Sequence, residues 1–209
     1  MRQKGVPTDR TIIRRAETRD IPDMATVLSR AFHDDPILHW VFPDDEHRDR
    51  RVRDAYAVQL RNWFLPHGVA YVAVRDGALC ATALWVPPER RRVPVSVQIR
   101  LLPRMLQLTG RRIGRLNDVM RTVTSTRPAE PHWYFAELAV EPGSQRSGLG
   151  DRLIRTHLAR CDADGLTAHG ECLEKNIRYY EPYGFSVTAT STLPFGETLF
   201  TVSRKPRVP

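Results

Sequence analysis

An α+β fold, a mixed and mainly antiparallel sheet flanked by helices, is what this sequence predicts, on three observations. Short apolar runs bounded by turn residues recur from Thr11 to Arg204. Stretches with helical spacing of apolar residues lie between them. One such stretch is entered, directly after an apolar run, through the glycine-bearing turn Gln145-Arg-Ser-Gly-Leu-Gly150. At 209 residues the chain reads as one domain, 1–209, long enough to bury a real core.

The elements follow in order. Thr11 to Ala16 reads as a short strand. Asp20 is placed to cap a helix with Pro22 in its first turn, and Ile21, Met24, Val27, Leu28, Ala31 and Phe32 form its apolar stripe. His33-Asp-Asp-Pro36 reads as the end of that helix. A second helix spans roughly Arg48 to Phe64, after the turn Pro43-Asp-Asp45. Val69 to Val74 and Ala78 to Val86 are strands joined at Asp76-Gly77, and Pro87-Pro88 stops the second. A helical, arginine-rich insertion occupies about 89–128. Trp133 to Val140 is the next strand. The helix from about Gly148 to Ala163 carries Leu149, Leu153, Ile154, Leu158 and Cys161 on one face. Leu166 to Leu173 is a strand, Asn176 to Tyr183 a short helix ended by Gly184, and 185–192 with 198–204 a final hairpin.

Composition narrows the function classes. No run of 18 apolar residues occurs, and Met1-Arg-Gln-Lys-Gly-Val-Pro7 lacks the apolar segment of a signal peptide, so the expectation is a cytoplasmic protein without a membrane partner. Cys80, Cys161 and Cys172 are odd in number and form no CxxC pair, which argues against a disulfide framework or a metal site. The net charge of +8 is concentrated: residues 90–127 hold ten arginines and one acid, Asp118. Such a stretch can bind nucleic acid. Yet Val97, Leu101, Met105, Leu108, Ile113, Leu116 and Met120 recur among the arginines at roughly helical spacing. The expectation is therefore a helical face packed on the domain, with no nucleic-acid partner.

The turn at Gln145 to Gly150 can point backbone N–H groups at a phosphate where a helix begins. Two phosphate-binding alternatives fail on the residues. Gly143 to Gly148 has P-loop spacing, but Leu149-Gly150 stands where Lys-Ser/Thr would follow, and no GxGxxG is present. A second block follows about thirty residues on, Asn176-x-x-x-Tyr180-x-x-x-Gly184-Phe185.

The two blocks, in this order and spacing, resemble the GCN5-related N-acetyltransferases (GNAT), whose pyrophosphate turn has the form Gln/Arg-x-x-Gly-x-Gly/Ala. Within that superfamily the chain looks most like puromycin N-acetyltransferase and its actinobacterial relatives. The shared features are Ala31-Phe32-x-Asp34-x-Pro36, Pro103-Arg104-Met105, Glu130-Pro131-x-Trp133 and Arg204-Lys205-Pro206. The resemblance implies that acetyl-CoA is the cosubstrate, held by its pyrophosphate at backbone around Gln145, Arg146, Gly148 and Gly150. Its pantetheine arm would run along backbone of Leu138 and Val140 with help from Asn176, in a gap where two central strands splay apart. A strand N–H near Leu138 or Val140 could stabilise the oxyanion.

Tyr180 matches the tyrosine that protonates the departing thiolate; packing beside Phe185 is the alternative. Glu137 is the candidate base, with Glu171 and an acceptor-side acid such as Asp34 as its rivals. Strand alternation places Glu137 on one face with Phe135 and Ala139, where an acid among apolar groups needs a partner or a raised pKa. For the acceptor, the resemblance nominates Phe32, Asp34, Asp35, Trp40, Trp63, Trp85, Phe195 and Glu197, as acids for an ammonium and aromatic faces for a ring or cation. Two functional readings result. The first is transfer of acetyl from acetyl-CoA to a primary amine of a small molecule, with an aminonucleoside-type antibiotic as one acceptor and a protein or peptide amine as the variant. The second is a basic nucleic-acid-binding module on the same fold. Either assembles as a monomer or homodimer.

Overall fold

The computed structural model describes residues 11–43, 46–90 and 93–207. The expected turn at Asp44-Asp45 and the insertion arginines Arg91 and Arg92 lie outside the described residues. Seven strands, β1 (Thr11–Arg15), β2 (Val69–Arg75), β3 (Ala78–Val86), β4 (His132–Val140), β5 (Thr167–Leu173), β6 (Ser186–Thr192) and β7 (Thr198–Arg204), form one sheet in the order β1-β2-β3-β4-β5-β7-β6. Every neighbouring pair is antiparallel except β4–β5, which is parallel. That parallel ladder is short. It runs from His132↔Thr167 to Phe135↔Gly170, while β4 continues to Val140 and β5 to Leu173 without pairing to each other. The two central strands part there, and the β5-facing edge of residues 136–140 is left without a strand partner.

Helices cover both faces. On one lie α1 (Ile21–Ala31) and α3 (Arg48–Gln59), and α3 continues through a π-helical turn, Leu60–Phe64, into the single turn α4 (Leu65–His67). Met24, Leu28, Leu60 and Leu84 are fully buried between them and the sheet. The insertion is a helix pair, α5 (Val95–Thr109) and α6 (Ile113–Ser125), which packs Val97, Met105 and Leu108 into the same core. Most of the expected apolar stripe thus faces inward, although Met120 is exposed, and Arg100, Arg104, Arg111 and Arg121 stay exposed as well. The opposite face of the sheet is covered by α7 (Leu149–Ala163), whose Leu149, Leu153, Ile154 and Leu158 meet Trp85, Trp133 and Phe135. The short α8 (Glu174–Tyr180) follows β5 directly. Among the described residues, no helix is long and apolar enough to cross a membrane.

Three local expectations need correction. Asp20 precedes α1 but does not cap it with its side chain. Its carboxylate takes a bidentate pair from Arg14, at 2.7 and 2.8 Å, and the Glu17 N–H at 2.7 Å, which ties β1 to the start of α1. His33 to Pro36 does end α1, yet the same residues begin a helix that periodicity did not show, α2 (Pro36–Val41). Asp35 is its cap, accepting from Ile37 N (2.9 Å) and Leu38 N (3.2 Å), with Pro36 at the first helical position.

The third correction concerns Glu137. Leu84 pairs with Glu137, but Trp85 pairs with Phe135, so Ala136 is an extra residue in β4. Such a bulge breaks the alternation of faces. Phe135 packs on the α7 side with Leu138 and Val140, whereas Ala136 and Ala139 pack on the α1–α3 side. Glu137 keeps its expected company with Ala139 and loses it with Phe135.

Candidate active site

The turn after β4 has the backbone that its residues promise. Arg146 (φ 58°) and Gly148 (φ 80°) both adopt left-handed conformations, and α7 starts at Leu149. Alternation of this kind turns successive N–H groups toward one side, and the N-terminus of a 15-residue helix adds its own positive end. A Cβ on Gly148 would meet nothing within 4 Å, so the outer side of the turn is open. A Cβ on Gly150 would lie 2.5 Å from the Tyr179 hydroxyl. Glycine there lets α8 close down on the turn.

From this turn a continuous cavity of ≈ 870 Å³ leads past the unpaired ends of β4 and β5 to a chamber beneath α1, α2, α3 and the insertion. Gln145, Arg146, Gly148, Gly150, Leu138, Val140 and Asn176 line it at the turn and along the gap. Tyr180 and Glu137 line it farther in, with Phe32, Asp34, Asp35 and Trp63 around the chamber. Trp63 is carried there by the π-helical turn, a local widening that re-aims side chains.

Glu137 is the carboxyl whose surroundings differ most from water. Among the described residues it has no hydrogen-bond or ion-pair partner, yet part of its surface opens to the cavity. Burial, and secondarily the negative charge of Asp35, push its pKa up to about 8. The rival is differently placed. Glu171 has a side chain only 5 % exposed; it accepts the Tyr134 hydroxyl at 2.8 Å and sits 3.3 Å from His169 Nε2 and 3.9 Å from Arg127 Nε. Asp35 is occupied by its capping bonds, and burial raises its pKa as well.

Tyr180 both packs and faces the cavity. Its ring packs edge-on against Phe135 (5.9 Å) and Phe185 (5.8 Å), and the same side chain lines the cavity. Burial raises its pKa well above the ordinary tyrosine value, so it remains a proton donor through the neutral range.

Three nominated aromatics lie elsewhere. Trp85 is 0 % exposed and stacks on Phe135 and His157, each at 4.2 Å, on the α7 side of the sheet; it is core and not an acceptor contact. Trp40 and Phe195 face each other at 5.6 Å in a separate shallow recess on the outer surface, joined to the chamber only through Asp34 at its rim. Arg115 of α6 holds Trp40 there, its guanidinium 4.2 Å over the ring and bonded to the Trp40 carbonyl at 3.0 Å. Conversely, the cavity contains Tyr56, Tyr134, Tyr179 and Arg127, which sequence reasoning did not nominate. Tyr56 lies one turn beyond Val52 on the inner face of α3, a signal that was present in the periodicity.

A family model described as "Acetyltransferase (GNAT) family" matches residues 30–185. Among solved structures the chain is similar to a histone acetyltransferase HPA2 and related acetyltransferase from Corynebacterium glutamicum. The identity is 20 %, covering 97 % of this chain and 99 % of that one, with a TM-score of 0.73. It is also similar to the ribosomal-protein-S18-alanine N-acetyltransferase of Escherichia coli (17 %, 95 % and 96 %, TM-score 0.56). A third is the PaiA N-acetyltransferase of Thermoplasma acidophilum in complex with coenzyme A (12 %, 93 % and 98 %, TM-score 0.55). At these identities the likeness is one of fold.

Proposed function

The chain belongs to the acetyltransferase (GNAT) family, and on that premise we propose that it is a one-domain enzyme that moves acetyl from acetyl-CoA directly to a primary amine of a small molecule. The observation that carries this reading is the single cavity: it joins an anion-binding turn to an unpartnered carboxyl through a gap between two strands.

The residues present fit the cosubstrate. The open side of Gly148 and the N–H groups of Gln145, Arg146 and Gly150 would take the pyrophosphate. The unpaired edge of β4 at Leu138 and Val140, with Asn176 opposite, would take the pantetheine arm. Bound acetyl-CoA supplies an activated thioester carbonyl.

This chain's own groups then manage two protons. An incoming ammonium is drawn to Glu137, which has no cationic partner among the described residues, and Glu137 accepts its proton. A carboxyl poised near neutrality suits that task better than one at the ordinary value. A β4 N–H at the splay stabilises the tetrahedral oxyanion, and Tyr180 returns a proton to the departing thiolate. Glu171 is tied to Tyr134, His169 and Arg127, which favours Glu137 as the base. Phe32, Asp34, Asp35 and Trp63 bound the acceptor, with Trp40 and Phe195 in reach only of a part that leaves the chamber past Asp34.

The test is thiol release from acetyl-CoA against a panel of amines that includes puromycin as the aminonucleoside member. Stoichiometric coenzyme binding and amine-dependent release support the reading. Coenzyme binding without release for any amine overturns it.

A further inference from the structure

The arginine-rich insertion has an inner face that the charge pattern hides. Val93, Met105, Leu116, Val119, Met120 and Val123 all line the cavity on its acceptor side. The exposed arginines Arg100, Arg104, Arg111 and Arg121 sit on the same two helices and point away. Among the described residues, the insertion therefore roofs the chamber with apolar side chains between Arg90 and Arg127 at its two ends.

Resting on the acetyl-transfer reading above, we propose that this roof selects the acceptor: a primary amine with one positive charge, carried on an apolar, ring-bearing body. Three features of the chamber support the class. Its other walls are aromatic, formed by Phe32, Tyr56, Trp63 and Tyr134. Two of its carboxyls are engaged, Asp35 as the cap of α2 and Glu171 as acceptor of the Tyr134 hydroxyl. The Arg127 guanidinium lies 3.8 Å over the Tyr134 ring, with Arg90 and Lys175 as further cations on the lining. Among the described residues of the inner chamber, Glu137 is the carboxyl left for an ammonium, and Asp34 stands at the mouth with its side chain 91 % exposed.

Other amine classes pay a penalty in such a chamber. A second ammonium would lie against the roof with no counter-charge, and burying an unpaired charge is costly. A polypeptide chain fares no better, since the roof is helical and its backbone N–H and C=O groups are engaged within α5 and α6. An apolar body gains instead, by about fourfold in affinity for each methylene removed from water.

The experiment compares kcat/KM for 2-phenylethylamine, 1,4-diaminobutane and triglycine, in the wild type and in two roof variants, with coenzyme affinity measured by calorimetry throughout. The wild type should favour 2-phenylethylamine by about tenfold or more. Met120 is 44 % exposed, so Met120→Lys is compatible with folding. It should cut the 2-phenylethylamine value by about tenfold and narrow its lead, without changing coenzyme affinity. Leu116→Ala enlarges the chamber and should shift preference toward 4-phenylbutylamine. A wild type that prefers the diamine or the peptide overturns the proposal, as does a ranking that neither variant alters. Coenzyme binding with no amine turned over overturns the transfer reading, and this proposal with it.

Discussion

The two halves of the cavity are built in different ways. The half proposed for the coenzyme comes mostly from contiguous chain, β4, the turn at Gln145 to Gly150 and the first turn of α7, with α8 closing on it from after β5. The acceptor half gathers side chains from α1, α2, the π-helical turn, β4 and both insertion helices. A contiguous site depends on backbone conformation, which a few residues dictate. A dispersed site depends on packing, which many residues share. The first should fail sharply on single substitutions, and the second should yield by degrees.

The sharpest expected loss is at Tyr180. Tyr180→Phe keeps the ring contacts with Phe135 and Phe185 and removes only the hydroxyl, the proton donor. Turnover should fall by about 10²-fold or more, with coenzyme affinity nearly unchanged. Steady-state kinetics beside calorimetry would show it. Full activity in this variant would make Tyr180 a packing residue.

Gly148→Val comes next. The left-handed backbone at φ 80° strains any β-branched residue, and the side chain would occupy the open side of the turn. Coenzyme affinity should fall about tenfold or more while the fold persists. Unchanged binding would place the pyrophosphate elsewhere.

Two unpartnered titratable groups sharpen the contrast between cavity and core. Glu137 faces the cavity, and its pKa rises from 4.5 to about 8. The folded state therefore holds a proton that the unfolded state releases above pH 4.5, and stability falls as pH rises from there to about 8. Glu137→Gln should remove that slope and stabilise the fold at pH 8 by ~1–2 kcal/mol. His157 is the opposite case, fully buried among Trp85, Trp133 and Tyr71 with both ring nitrogens unpaired.

Burial pushes the His157 pKa from 6.5 down to about 3. The unfolded state then binds the extra proton, so stability is complete above pH 6.5 and declines toward pH 3. His157→Phe should change little at pH 7.5 and flatten the acid decline. Thermal melts across pH 4 to 8 test both substitutions, and parallel slopes in wild type and variant would contradict either account.

The same division explains what could be read from the sequence. The turn at Gly148 and Gly150, the short helix that carries Tyr180 and the succession of strands along the chain were legible, because turn chemistry and periodicity act over a few residues. Asp35-Pro36 carried a helix-start signal, cap and first-turn proline, but it followed another helix and read as its end. The face of Phe135 relative to Glu137 was lost to a one-residue bulge at Ala136, which alternation alone does not reveal. Four tryptophans offered no local sign of which would face a cavity. Trp63 does so because a π-helical turn rotates it inward, while Trp85 lies on a strand face committed to α7. The insertion's arginines dominated its composition, although the side chains it places on the cavity are mostly the apolar residues between them.

The central claim is that Glu137 takes the proton from the acceptor amine, and the pH dependence of kcat/KM in wild type and Glu137→Gln tests it most directly. With an amine of pKa about 10, the wild-type value should rise through an acid limb near pH 8, where Glu137 ionises. In Glu137→Gln that limb should move up to the amine's own pKa of about 10, so that the loss is deepest below pH 8 and shrinks as the amine deprotonates in solution. An equal proportional loss at every pH would make Glu137 structural and contradict the account.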